Sequence, residues 1–165
     1  MSAVVSDTTS LIALARQGRL SMPGACFEEV LLPDAVYAEW LAGDPRVAQF
    51  VRDCAFLRVE AVTDAALFSE LELLLDRGEA EALTLAKTRS LPLLVDEKKG
   101  RAVARTMGVP VLGLVGLLIL AVERQHLTVV EAEQLLRAAQ EAGFRVADRL
   151  VEAFQARLTS LNAFK

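Results

Sequence analysis

A chain of 165 residues, 53% of them apolar, is long enough to bury one substantial core without help from disulfides or metals, and short enough that residues 1–165 read as a single domain. Its two cysteines, Cys26 and Cys54, are far apart, fit no CxxC pattern and lie in apolar-leaning stretches, which argues against a disulfide framework and for buried thiols in a reducing cytoplasm. A formal net charge of −4 argues against a surface coated in phosphate-binding charge, though not against a carboxylate site that meets phosphate through a divalent cation.

In chain order, short β-like runs alternate with helical patterns. "SAVVSD" reads as a strand, with no basic region or signal-like apolar segment ahead of it, so export is not expected. The helical "SLIALARQGRL" follows, then "FEEVLLP" as a strand leading into "DAVYAEWLAG". A Gly-Asp-Pro break at 43–45 opens "RVAQFVRDC", and "AFLRVEAV" reads as a further strand. A helix over about 64–75, a break at "DRG" and a second helix in "GEAEALTLAKTR" come next, with Leu83, Leu85 and Ala86 on the core side. "LPLLVD" is a continuous apolar run ended by an acid, the pattern of a central parallel strand covered on both faces. "EKKGRAVARTMG" is helical with a glycine stop, "VPVLG" is strand-like, and three further helical stretches complete the chain. The apolar run over 109–122 is too short to span hydrocarbon and reads as a buried strand and helix. In the tail, Leu135, Leu136, Phe144, Val146, Leu150 and Phe154 are available for packing. The alternation implies βαβ units around a mainly parallel sheet, with no linker, repeat or low-complexity segment.

Two acids end strand-like runs. Asp7 follows the first and Asp96 follows "LPLLV", and neighbouring parallel strands would bring both to one sheet edge. Taken alone, Asp7 followed by Thr8, Thr9 and Ser10 is an ordinary helix start. Glu39 and Glu79 lie at helix beginnings or first-turn faces able to tilt over the same edge, and each has an equally ordinary reading, Glu39 as a solvated residue and Glu79 as a helix N-terminal charge. Carboxylates sharing one pocket repel, on the order of 4 kcal/mol for a pair about 4 Å apart at an effective dielectric near 20. A compensating cation or raised pKa values are then required. An all-oxygen open site suits Mg²⁺ or Mn²⁺. Zinc is poorly served, because the single histidine, His126, has no partner at ligand spacing and reads as a helix cap. With one histidine and no nucleophile elbow, Ser-His-Asp and Cys-His hydrolysis lack support as well.

The segments "VVSDTTSLIAL", "LLPDAVYAEW", "DRGEAEALTLA", "LLVDEKKGRAVARTMGVPVLG" and "LVGLLILAVERQHL" resemble, in order and spacing, the PIN-domain proteins, and especially a prokaryotic branch with GEAEA-like and VxGxxGxL-like segments. The resemblance covers most of residues 3–127, leaving 128–165 as C-terminal helices. It implies a three-layer α/β/α sandwich and a Mg²⁺- or Mn²⁺-dependent endoribonuclease, of the kind that many toxins of toxin-antitoxin pairs carry. It further implies Asp7, Glu39, Glu79 and Asp96 as the catalytic acids, with Thr9 at the small polar position supporting the first of them. RNA as substrate, an antitoxin protein as partner and a homodimer follow by the same route. The third acid is more often Asp in the family, so the longer Glu79 calls for a retracted helix. In the inferred mechanism Asp7, Glu79 and Asp96 hold the cation and Glu39 orients the attacking water. Lys98, Lys99 and Arg101, on the helix after Asp96, are candidates to meet the RNA backbone or form a solvated helix face, with Arg101 the better placed. Glu97 is an outer ligand or a helix N-terminal charge, and Glu81 is expected to face solvent.

Two other classes place acids at strand ends. A receiver-like phosphotransfer domain wants a lysine at the end of a later strand, where "VPVLGLVG" has none, and a dehalogenase-type phosphatase wants Asp where Thr9 stands. A PIN-like fold kept only to bind nucleic acid or protein is the remaining alternative, opposed by the presence of all four acids.

Overall fold

The structure is a computed structural model that describes residues 2–163. Five parallel strands form the central sheet: β1 (Ala3–Ser6), β2 (Glu29–Pro33), β3 (Leu57–Glu60), β4 (Leu93–Leu94) and β5 (Val111–Leu112), in the order β3-β2-β1-β4-β5. The register pairs Val4 with Val30, Leu31 with Arg58, Val5 with Leu93 and Leu93 with Val111. Val4, Val5, Val30, Leu31, Leu32 and Leu94 are all fully buried, which is why these runs are continuously apolar rather than alternating. The chain starts in the middle of the sheet, winds outward through β2 and β3, then crosses back to β4 and β5. That order reverses direction between β1 and β4, and it is at such a switch point that the carboxyl ends of parallel strands open a crevice.

Among the described residues, ten helices flank the sheet: α1 (Thr8–Ala15), α2 (Met22–Cys26), α3 (Asp34–Gly43), α4 (Val47–Asp53), α5 (Ala65–Glu72), α6 (Arg77–Arg89), α7 (Lys98–Thr106), α8 (Leu114–Glu123), α9 (Val129–Glu141) and α10 (Asp148–Ala163). One layer is built around α6, which packs on β1, β2 and β4 and against α3, α5 and α7. The other is built around α8, which packs against α2, α9, α10 and β5. The result is the expected three-layer α/β/α sandwich. The short α2 has no counterpart in the sequence expectations; its five residues, with Pro at its start and Gly in its middle, carry too little periodicity to register.

The run over 109–122 divides into β5 and α8 as its length required, and among the described residues no helix is long and apolar enough to cross a membrane. Cys26 is buried and Cys54 half-buried, both as free thiols. His126 does close α8, but with its backbone. Its N–H donates to the Ala121 carbonyl at 2.8 Å and that of Gln125 to Val122 at 3.0 Å, with Gln125 in the left-handed region at φ 63°. In the tail Phe154 and Leu158 are core residues, whereas Leu150, expected to pack, is 41% exposed.

Glu81 departs from expectation. It is only 7% exposed: the Ala35 N–H, in the first turn of α3, donates to its Oε2 at 2.7 Å, and the Arg77 guanidinium stands 3.6 Å from its Oε1. The carboxylate serves an otherwise unmet backbone donor at a helix start and ties α3 to α6. Replacing Glu81 with Ala is therefore expected to lower stability by about 1–3 kcal/mol through the orphaned Ala35 amide. Urea unfolding measures this, and Glu81→Gln, which keeps an acceptor, should lose less.

Candidate active site

Asp7 and Asp96 leave adjacent strands at the switch point. The Asp7 N–H extends the β1–β4 ladder by donating to the Leu94 carbonyl at 2.9 Å, and the Val95 N–H donates to Leu112 at 2.8 Å one residue before Asp96. Both acids are thus placed by backbone pairing rather than by mobile loops.

Asp7 is 6% exposed and precedes α1 with extended backbone geometry, yet its side chain makes no capping hydrogen bond. Its pKa is pushed from 3.8 to about 7, chiefly by burial. The nearby Thr8 amide favours the charged form without meeting capping geometry, and the charges of Glu79, Asp76 and Glu39 add to the upward push. Among the described residues no cation contributes to these influences.

Asp96 is differently held. The Ser10 hydroxyl, one turn along α1 from Asp7, donates to its Oδ2, and the Leu114 N–H at the start of α8 donates to Oδ1 at 2.9 Å. Arg101 nearby also favours the carboxylate, but burial outweighs all three and Glu97 adds repulsion, so this pKa too is raised. Gly113 makes the fit possible: a Cβ there would lie 2.7 Å from Asp96 Oδ1 and 2.6 Å from Arg101 Nη1. Arg101 itself donates from Nη1 to the Val95 carbonyl at 3.1 Å, so it braces the segment that carries Asp96.

Glu39 is exposed on α3, and the Thr8 hydroxyl donates to its Oε2 at 3.3 Å. Gly78 of α6 lets it approach, since a Cβ at that position would lie 3.2 Å from the same oxygen. Glu79 occupies the third position of α6 in a reciprocal cap. Its N–H donates to Asp76 Oδ1 at 2.8 Å, and the Asp76 N–H donates to Glu79 Oε2 at 3.3 Å. Its Oε1 points toward Gly100 of α7, where a Cβ would lie 3.3 Å away. Room for the longer acid therefore comes from a glycine on α7, where the sequence suggested a retracted helix. Burial raises the Glu79 pKa, followed by the charge of Asp76; the Asp76 amide and Lys99 oppose this, and Glu97 reinforces it.

The arrangement gathers Asp7, Glu39 and Glu79 into one electrostatic neighbourhood together with Asp76, and links Asp96 to it through Ser10 and through Glu97, whose charge acts on both Glu79 and Asp96. Among the described residues no three His, Cys, Asp or Glu side chains are grouped closely enough to enclose a metal ion. The cluster is therefore no preformed cage for a cation shared by Asp7, Glu79 and Asp96. Its donors are nonetheless all hard oxygens around a buried carboxylate without a counter-charge. That chemistry suits Mg²⁺ or Mn²⁺, which take one or two carboxylates and fill the remaining positions with water and substrate oxygen.

Thr9 does not support the acids. It lines a separate pocket between α1 and α9, with Ile12, Gln17 and Phe144, and the hydroxyls that serve the acids belong to Thr8 and Ser10. Lys98 and Arg101 line a groove that begins at Asp96. Asp76, Ser10 and Gly113 were not singled out from sequence. For Asp76 the signal was present, because Asp-x-x-Glu in "DRGE" is a capping-box pattern. Ser10 had a weaker one, its position a single turn after Asp7.

A parallel α/β sheet whose switch point is lined by carboxylates places a ligand site at that edge, an arrangement that several classes of α/β domain share. The model of one such family, the PIN domain, matches residues 3–160, and the chain belongs to that family. PIN domains are generally nucleases that use divalent cations. No curated protein matches the chain.

The Asp7 shift has a definite sign. With a folded pKa of about 7 against 3.8, the folded state holds a proton that the unfolded chain has lost, so stability falls as pH rises between these values. Asp7→Asn, which cannot ionise, is expected to exceed the parent in stability at pH 8 by at most about 4 kcal/mol, and to lose most of that advantage below pH 4. Urea unfolding across this range, without divalent cations, checks it; an advantage that does not change with pH would contradict the assignment.

Proposed function

We propose that the protein is a Mg²⁺- or Mn²⁺-dependent endoribonuclease that hydrolyses RNA phosphodiesters at the carboxyl edge of β1 and β4. The observation that carries this reading is Asp7: a carboxylate almost fully buried, flanked by the fields of three other acids and, among the described residues, by no cation. Such a group destabilises the fold unless something positive joins it. Family membership supplies the class of reaction.

In this reading Asp7, Glu79 and Asp96 would hold the cation, directly or through water, and the cation would supply Lewis acidity toward water and the scissile phosphate. Glu39, exposed and steadied by Thr8, orients the attacking water. Ser10 and the Leu114 amide keep Asp96 aimed, and Arg101 braces its strand end. The setting we propose is the toxin of a toxin-antitoxin pair, supported by the likeness of "DRGEAEALTLA" and "LVGLLILAVERQHL" to the prokaryotic PIN branch, whose kind of site many toxins carry, with an antitoxin protein as partner. Growth arrest on expression that is lost in Asp7→Asn tests that setting.

Asp7→Asn and Asp96→Asn are each expected to abolish divalent-dependent cleavage of single-stranded RNA while leaving the circular dichroism spectrum unchanged. Titration with Mn²⁺ should raise the melting temperature of the parent, since a ligand that binds only the folded state stabilises it, and should leave that of Asp7→Asn in place. A parent that gains stability from Mn²⁺ but cleaves no RNA would favour a PIN fold retained for binding.

A further inference from the structure

A second charged feature begins where the acid cluster ends. A groove of about 600 Å³ runs from Asp96 between α7 and the α9–α10 junction, and five cations line it: Lys98, Arg101 and Arg105 from α7, and Arg145 and Arg149 from the start of the C-terminal segment. Among the described residues none of the five is in an ion pair, whereas Arg19, Arg46, Arg58, Arg77, Arg89 and Arg157 all are. Arg101 braces the Asp96 segment through the Val95 carbonyl, but cations without ion-pair partners concentrated in one groove of a chain with net charge −4 repel one another. A polyanion relieves that repulsion.

The floor of the same groove is apolar. Phe144 and Val146 pack against the core yet stay half-buried, and Leu150 is 41% exposed, so all three keep apolar surface on the groove. A duplex presents phosphates but hides its base faces. A single strand presents both, and cationic grooves with an aromatic platform suit it.

We propose that this groove is the track for a single-stranded nucleic acid leading to Asp96, with Arg145 and Arg149 of the C-terminal segment clamping its phosphates and Phe144 stacking a base. The inference deepens the nuclease reading, on which it rests, by assigning substrate contacts to a segment outside the acid-bearing elements. It is separable from that reading because binding can be measured without catalysis.

The test is fluorescence anisotropy of a short labelled oligouridylate with the full-length protein in EDTA, over a range of salt concentrations. Each phosphate contact on a single strand contributes a slope of about 0.7 in log affinity against log salt, so Arg145→Ala/Arg149→Ala should reduce the slope by about 1.4 and weaken binding roughly tenfold or more at low salt. Both arginines are exposed, so the melting temperature should not move. Arg46→Ala, which removes an ion-paired arginine elsewhere, should leave the slope unchanged. Phe144→Ala should weaken binding without changing the slope, as loss of stacking rather than charge requires.

An unchanged slope and affinity in the double variant would overturn the proposal, as would a parent that binds no oligonucleotide. A parent that binds duplex as tightly as single strand would overturn the single-strand assignment. Stronger binding of polyglutamate, lost with the same arginines, would overturn it in favour of an acidic protein partner. None of these outcomes depends on cleavage. If the parent binds the strand through these arginines and yet fails to cleave it with Mn²⁺, the enzymatic reading falls and the groove stands.

Discussion

Burying Asp7 at the end of the central strand is the constraint to which the rest of the site is adapted. The Asp7 N–H extends the β1–β4 ladder and fixes its backbone at the sheet edge, its side chain is buried, and among the described residues no cation acts on it. The first turn of α1, directly after it in the chain, organises the other acids. Thr8 reaches across to Glu39 and Ser10 reaches across to Asp96, while Thr9, between them, lines the separate pocket toward α9. Successive helical residues lie about 100° apart, so Thr8 and Ser10 diverge by about 160° and reach acids on two different sides of the α1 start, Glu39 on α3 and Asp96 after β4.

The remaining carboxylates are held by geometry as well. Glu79 is fixed within a capping box and Glu81 closes the N-terminus of α3, so the two glutamates of "GEAEA" perform different tasks two residues apart. One presents charge to the site, and the other locks the helix that carries Glu39. Glycines supply the space. Gly78 admits Glu39, Gly100 admits Glu79 and Gly113 admits Asp96, each at a position where an added Cβ would crowd a carboxylate oxygen. None of the three has a left-handed backbone. Their common purpose is room for anionic side chains, distinct from the turn chemistry of Gly18 or Gly108.

Much of this was readable from the chain. "SAVVS", "EVLLP" and "LPLLV" announced buried parallel strands because unbroken apolar runs of that length need cover on both faces, and acids at two of their ends implied a shared edge. Relations between distant segments were not readable. Glu81 looks solvent-facing in sequence because nothing in its neighbourhood reveals that Ala35, 46 residues earlier, offers it an amide. The resemblance points to Thr9 rather than Thr8 or Ser10 because it aligns positions and does not give side-chain direction. The tail residues Phe144, Val146 and Leu150 have helical periodicity, but whether that periodicity faces core or groove depends on what α7 places opposite them.

Asp96 sits on the boundary between two like-charged regions, with carboxylates on the Asp7 side and arginines along α7 and the start of α10. Each region is self-repulsive, and each is relieved by a ligand of the opposite sign. On the proposed reading those ligands are not independent. A phosphate chain held by the groove meets repulsion only where it reaches the acids, which a cation there would reduce, while a cation among the acids would gain from the phosphate oxygen that completes its coordination. Coupling of this kind is reciprocal by thermodynamic necessity, so whatever the cation adds to strand affinity the strand adds to cation affinity. The absence of a preformed cage among the described residues fits that logic. A site lacking a complete set of protein ligands leaves positions for water and substrate oxygen, and the raised pKa values of Asp7, Glu79 and Asp96 are the free-energy strain that binding of both partners would relieve.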